Sequence, residues 1–270
     1  MVRFERDLLH AYEFRQRMEA EFRGALAAGR IDLVYQPIVD LMTGEVEAVE
    51  ALARWTDTRG AAISPTYFIP LAEQCGIIRG VGRCLLEKAL LETKGWIDGG
   101  RIERVSFNVS PLELLDDQFA EAVLATLEKI GVDPHFLLLE ITEGVMIQDL
   151  ALVGQVMDRL RGAGIRFALD DYGCGYSDLS MLRKLPISVL KIDRSLLVDA
   201  ENDRAARVIL RNVVSLCRKL GIRSICEGAE TAAQLEFLRK IRCDSVQGFA
   251  FGRPAPKNEI EKLLRSPRAR

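Results

Sequence analysis

The sequence predicts an α/β fold, a TIM-like (β/α)8 barrel with an antiparallel first strand. Three observations predict it. Segments with apolar residues at three- and four-residue intervals alternate, over most of the 270 residues, with short segments rich in β-branched and large apolar residues. The short segments number eight, and strict alternation at that count suggests a closed barrel more than an open sheet. The first two of the eight follow one another across a short glycine-containing turn, so they form a hairpin rather than a crossover.

Taken in order, Phe4, Leu8, Tyr12, Phe14, Met18, Phe22 and Leu26 recur at mostly helical spacing among many charges. Residues 1–28 therefore read as an amphipathic linker helix, either part of the domain or a connector from something upstream. LVYQPIV (33–39), the turn Met42–Glu45 with Thr43-Gly44, and VEAVEALAR (46–54) make the hairpin. The six further strands are RVSFNVS, FLLLEIT, RFALDD, VLKID, SICEG and SVQG. Between them lie helical segments such as LLEKALLETKGWI, FAEAVLATLEKIG and RAARVILRNVVSLCRKLG. No solenoid repeat and no Pro-, Gly- or Ser-rich linker divides the chain, so residues 29–265 read as one barrel and 266–270 as a frayed tail.

Composition narrows the function. A formal net charge of −2 supplies no field of one sign to hold a long nucleic-acid backbone, so polymeric DNA or RNA is not expected as a partner. Six cysteines are scattered without a CxxC pair and read as reduced thiols. The longest apolar runs, such as FLLLEI, fall far short of the roughly 20 residues of a membrane span. The charged N-terminus lacks the apolar core of a secretory signal, and a cytoplasmic domain is the expectation, although a full-length protein could be membrane-anchored.

A barrel carries its chemistry on the C-terminal ends of its strands. Here the strand-closing residues are Glu50, Asn108, Glu140, the pair Asp170-Asp171, Lys191, Glu227 and Gln247. One strand-end acid alone reads as readily as a cap or surface ion pair. Five acids against one lysine are another matter, because burying them unpaired costs several kcal/mol or forces protonation. Two divalent cations would balance the charge, and an oxygen-rich set suits Mg2+ or Mn2+. His10 and His135 stand apart from any His or Cys cluster, which argues against zinc. Two ions of this kind are a standard device for in-line displacement at phosphorus. Asp170 and Asp171 are the natural bridge, but strand neighbours point to opposite faces, so both reach metal only where the strand gives way, as the glycines of DDYGCGYSDL (170–179) allow.

These residues fall in ordered motifs: YQPIVDLMTGEVEAVEALARW (35–55) with Glu50-Ala51-Leu52, then FNVS, LEITE, DDYGCGYSDLSMLRKLP, LKIDRS, EGAET and QGFAFGRP. The chain thereby resembles EAL domains, bacterial phosphodiesterases that hydrolyse cyclic di-GMP, from about residue 20 to 265. The resemblance implies that Glu50, Asn108, Glu140 and Asp170 hold one ion, that Asp170 bridges to a second which Asp171 helps hold, and that Glu227 binds or orients the nucleophilic water and serves as base. Lys191 would stand near the water and the scissile phosphate, and Gln247 beside the metal-bound water. Arg54 would hold a substrate phosphate, Gln36 and Leu52 would line the nucleotide pocket, Glu143 would anchor the glycine loop and Glu230 would support the site from behind.

Blander readings stay open for several of these. Arg54 can pair with Asp57, Gln36 can satisfy backbone near Pro37, and Asp193 can line the pocket or stabilise the barrel. The chain departs from the family pattern at Tyr172, Cys174 and Asp178, with Cys174 an oxidation-sensitive point, and at Ala48-Val49, where glycine is usual. The resemblance further implies a homodimer and an upstream sensory or GGDEF domain. A non-catalytic cyclic di-GMP receptor is the alternative, and the complete acid set counts against it.

Overall fold

The computed structural model describes Gln16 and residues 18–142, 150–174 and 181–265. Its elements are helix α1 (18–27), strands β1 (Ile31–Asp40), β2 (Val46–Thr56) and β3 (Ala62–Ile63), helices α2 (Pro65–Gln74) and α3 (Ile78–Asp98), strand β4 (Arg104–Asn108), helices α4 (Pro111–Leu114) and α5 (Phe119–Ile130), strand β5 (Leu137–Thr142), helix α6 (Leu150–Gly162), strand β6 (Arg166–Tyr172), helix α7 (Met181–Lys184), strand β7 (Val189–Ile192), helices α8 (Arg194–Asn202) and α9 (Arg204–Leu220), strand β8 (Arg223–Glu227), helix α10 (Ala232–Ile241), strand β9 (Ser245–Gln247) and helix α11 (Lys257–Arg265). Glu143, Asp178, His10 and the tail 266–270 lie outside the described residues.

Eight strands close on themselves in the order β1-β2-β4-β5-β6-β7-β8-β9, with β9 returning to β1. From β2–β4 round to β8–β9 each pair is parallel, while β1 is antiparallel to both neighbours. The hairpin explains both. Once its turn reverses β1 against β2, and β2 runs with the rest, β1 must also oppose β9. The two-residue β3 is an edge piece on β2 that the sequence pattern does not announce.

Strand periodicity sorts the barrel interior into two levels. Ile38, Ala48, Leu138, Ala168, Val189 and Ile225 form a separate buried apolar cluster, one residue from each of six strands. Two positions along the same strands stand Gln36, Glu50, Glu140, Asp170, Lys191 and Glu227. The apolar level thus plugs the barrel beneath the polar one, and parity alone decides which residues share the interior.

The larger core lies between the outer strand faces and the helices. Phe22 of α1 packs edge-on against Trp55 of β2 at 4.9 Å between centroids and against Phe68 of α2 at 5.5 Å. Burying such side chains contributes about 1.5–3 kcal/mol each. Helix ends are specified locally. Gly131 after α5 and Gly221 after α9 take φ of 73° and 70°, conformations in which a Cβ is penalised. Asp193 and Asp203 cap α8 and α9, and Thr231 with Gln234 forms a capping box on α10. At the opposite end of the barrel, Arg223 bonds Glu47 at 2.6 Å and the Ser245 hydroxyl at 2.9 Å, tying β2, β8 and β9 together. All six cysteines are free, and no described helix is long and apolar enough to cross a membrane.

Candidate active site

Lys191 occupies the centre of the polar level and is 1% exposed. Its ammonium lies 2.7 Å from Glu227, 2.8 Å from Glu140, 3.1 Å from Asp170 and 3.4 Å from Glu50. Four strands, β2, β5, β6 and β8, aim these carboxylates at one cation supplied by a fifth, β7. Burial alone would drive the lysine neutral, but Glu140, Glu50, Glu227 and Asp170 outweigh it and hold the ammonium protonated far above its usual range.

One ammonium cannot neutralise four carboxylates. Burial and the neighbouring Glu50 push Glu140 well up, against the pull of Lys191. For Glu50 burial acts upward too, yet Lys191 and hydrogen bonds from Gln247 and Asn108 hold it below the ordinary glutamate range. The two titrate as one buried, interacting pair. Glu227 is pushed up to about 7 by burial, with Lys191 opposing and Asp170 reinforcing. The pocket gathers more carboxylates than its ammonium can pair, a donor set suited to cations.

Neutral groups complete the ring. Asn108 donates to Glu50 at 2.7 Å, and Gln247 donates to the other Glu50 oxygen at 2.6 Å and to Gln36 at 3.1 Å. Gln36 in turn donates to the Gly252 carbonyl at 3.2 Å. The Gln247 side-chain oxygen is buried and has no partner among the described residues, so the site presents an acceptor suited to a donor such as water. Ser106, fully buried, donates to Glu140.

The paired aspartates converge, although the break that allows it lies earlier than the glycines. Asp171 itself takes φ of 57°, a conformation aspartate tolerates better than most residues, and the β6–β7 register slips between Leu169 and Tyr172. As a result one oxygen each from Asp170, Asp171 and Glu227 lie mutually within 4.8 Å. Hard oxygen donors, more carboxylates than the ammonium can pair and the unpartnered Gln247 oxygen fit small divalent cations. A second group at the rim, Asp171, Cys174 and Asp193, meets the same distance limit. There a hydrogen bond to Asp193 pushes the exposed, free Cys174 thiol up to about 12.

Leu52 and Arg54 line an adjoining cavity of about 460 Å3, together with Glu50, Asn108, Pro65, Ile69 and Pro70. Arg54 donates to the Ala53 carbonyl, whereas Asp57 accepts from the backbone of Arg59 and Ala61. Asp193 spends one oxygen as the α8 cap on Ser195 at 2.8 Å. Glu230 is exposed and pairs with Arg194 at 3.2 Å. Ser106 was not singled out by sequence pattern, although its place two residues before Asn108 on the same strand face is a legible signal. Glu73, which the sequence pattern also passes over, bonds Ser110 beside Asn108 and has no such signal, because that contact joins separate elements.

Comparisons place this geometry among known proteins. The family described as EAL domain matches residues 19–254. The bifunctional diguanylate cyclase/cyclic di-GMP phosphodiesterase MucR of Pseudomonas aeruginosa is 35% identical over 241 residues, 89% of this chain and 35% of MucR. The cyclic di-GMP phosphodiesterase NbdA of the same organism is 35% identical over 266 residues, 98% of this chain and 34% of NbdA. The chain thus spans about a third of the length of these relatives. A solved structure of PaMucR phosphodiesterase in complex with c-di-GMP superposes with a TM-score of 0.83 at 35% identity, covering 89% of this chain and 98% of that one.

Proposed function

Because the chain belongs to the EAL domain family, we propose that it hydrolyses cyclic di-GMP to linear 5′-pGpG at the carboxylate ring around Lys191, with two Mg2+ or Mn2+ ions. The observation that carries this reading is the convergence of Glu50, Glu140, Asp170 and Glu227 on one lysine, more carboxylates than that lysine can pair. The relatives named as cyclic di-GMP phosphodiesterases and the c-di-GMP complex of a similar domain support the choice of substrate.

In this proposal Glu50, Asn108, Glu140 and Asp170 would hold one ion, and Asp171 and Glu227, with Asp170, would hold the other. Ions held there would supply a water of lowered pKa and positive charge beside the phosphate oxygens. Glu227 orients that water in line with the departing 3′ oxygen and accepts its proton. Lys191, locked in place by its carboxylates, stays protonated and adds a fixed positive charge beside the phosphate. Gln247 steadies Glu50 with its amide and offers its free oxygen to a water. Arg54 holds a phosphate and Leu52 the nucleoside in the adjoining cavity, while Gln36 fixes Gln247. Asp193 and Glu230 act on the frame, through the α8 cap and the Arg194 pair.

The test is incubation of the purified chain with cyclic di-GMP and Mg2+ or Mn2+, followed by chromatography. The proposal expects linear 5′-pGpG. Binding of intact dinucleotide without any product would replace the enzyme with a receptor.

A further inference from the structure

Asn108 is the one neutral side chain in the proposed ligand set, and it is the last residue of β4. It lies exposed at the mouth of the barrel, paired with Glu140 of β5 but past the end of the β2–β4 pairing at Phe107. Its NH2 group already donates to Glu50, so its carbonyl oxygen is the atom left to face a cation. Where that oxygen points depends on the turn that follows.

Ser110 organises the turn and is 8% exposed. Its N–H donates to Glu113 at 2.9 Å, one half of a capping box on the single-turn helix α4, and its hydroxyl accepts from the Leu112 N–H at 3.2 Å. Both bonds are local and would travel with the turn if it moved. Two bonds are not. The Val109 N–H donates to the Glu140 carbonyl at 2.9 Å, extending the ladder toward β5. The Ser110 hydroxyl donates to Glu73 at 2.6 Å, reaching the last turn of α2. That helix is itself held, because Phe68 packs on Phe22 and Trp55, and Arg23 of α1 donates to the Cys75 carbonyl at its end at 3.1 Å.

We propose that Glu73 is a positioning residue. Through Ser110 it fixes the turn on the side away from β5, and so sets the direction from which Asn108 meets the ion it shares with Glu50. Supporting carboxylates behind a ligand typically change metal affinity 10- to 100-fold. The inference rests on the reading of Asn108 as a ligand, and the experiment separates the two.

Mn2+ binding to the chelator-stripped chain is measured from the EPR signal of free Mn2+, with melting temperature and the kcat and KM for cyclic di-GMP recorded beside it. E73A and S110A should each weaken the ion that Asn108 shares with Glu50 by up to about tenfold, and the double variant should be no worse than either alone. E73Q, whose amide oxygen can still accept from the Ser110 hydroxyl, should recover most of the affinity. N108A should lose the ion. If N108A loses it while E73A binds Mn2+ as the unaltered chain does, or only melts lower, the positioning role falls and the ligand reading stands. Additive losses in E73A/S110A would show that Glu73 acts other than through Ser110, which also overturns the proposal. Unaltered Mn2+ binding by N108A would overturn both readings.

Discussion

The Lys191 ammonium lies 2.7 Å from Glu227, closer than to any of the three other carboxylates it reaches. This contact links the proposed base to the positive charge at the centre of the ring. It also makes the lysine a structural counter-ion whenever other cations are absent.

Replacing Lys191 with methionine keeps volume and removes the charge. Four buried carboxylates then lose their common partner, and removing one side of a buried ion pair typically costs about 3–5 kcal/mol. Metal-free K191M should melt well below the unaltered chain, and Mn2+ should restore a larger share of its stability. Calorimetry with and without Mn2+ reads both effects. Equal melting temperatures in the absence of metal would mean that the ring does not depend on this lysine.

Glu113 gives the fold a pH dependence of unusual sign. It is 4% exposed, packs where Gly82 offers no side chain, and is pushed up to about 7 by burial, with Glu73 reinforcing while the Ser110 N–H and Arg79 oppose. Between the ordinary glutamate value of 4.5 and about 7 the folded chain holds a proton that the unfolded chain has released. Its contribution is therefore most favourable at low pH and is lost as pH rises through that window, by about 3 kcal/mol. E113Q, which still accepts from Ser110, should show less loss of stability between pH 5 and pH 8 in urea unfolding. Parallel pH profiles for the two chains would refute the assignment.

Phe22 anchors α1. It is fully buried between Trp55 and Phe68, so F22A should destabilise by about 3–5 kcal/mol. The emission of Trp55, one of two tryptophans, should shift to the red as water enters. Unchanged stability would mean that α1 contributes nothing to the barrel.

Much of this architecture was legible because two periodicities carry it. Alternation of helical and strand segments identified all eight barrel strands, and strand parity puts Glu140 with Leu138 and Lys191 with Val189 on the inner face. The hairpin also predicted the antiparallel β1. What sequence could not show is what depends on a single backbone torsion or on contact between distant segments. Asp171 reaches the site by adopting φ of 57° inside β6, a choice aspartate permits but no pattern announces. The opposite shifts of Glu50 and Glu140 depend on the hydrogen bonds that Gln247 and Asn108, from two other strands, give to Glu50 alone. The hold of Glu73 on Ser110 joins α2 to the end of β4 across 37 residues.

The measurement that bears most directly on the carboxylate ring is turnover of cyclic di-GMP by E50A beside the unaltered chain, at saturating Mn2+ and with folding checked by circular dichroism. Glu50 contacts Lys191, Asn108 and Gln247 at once, so its removal dismantles the ring at its best-connected point. The account predicts that 5′-pGpG disappears from the E50A reaction while the barrel stays folded. Product formed by E50A at the unaltered rate would contradict it.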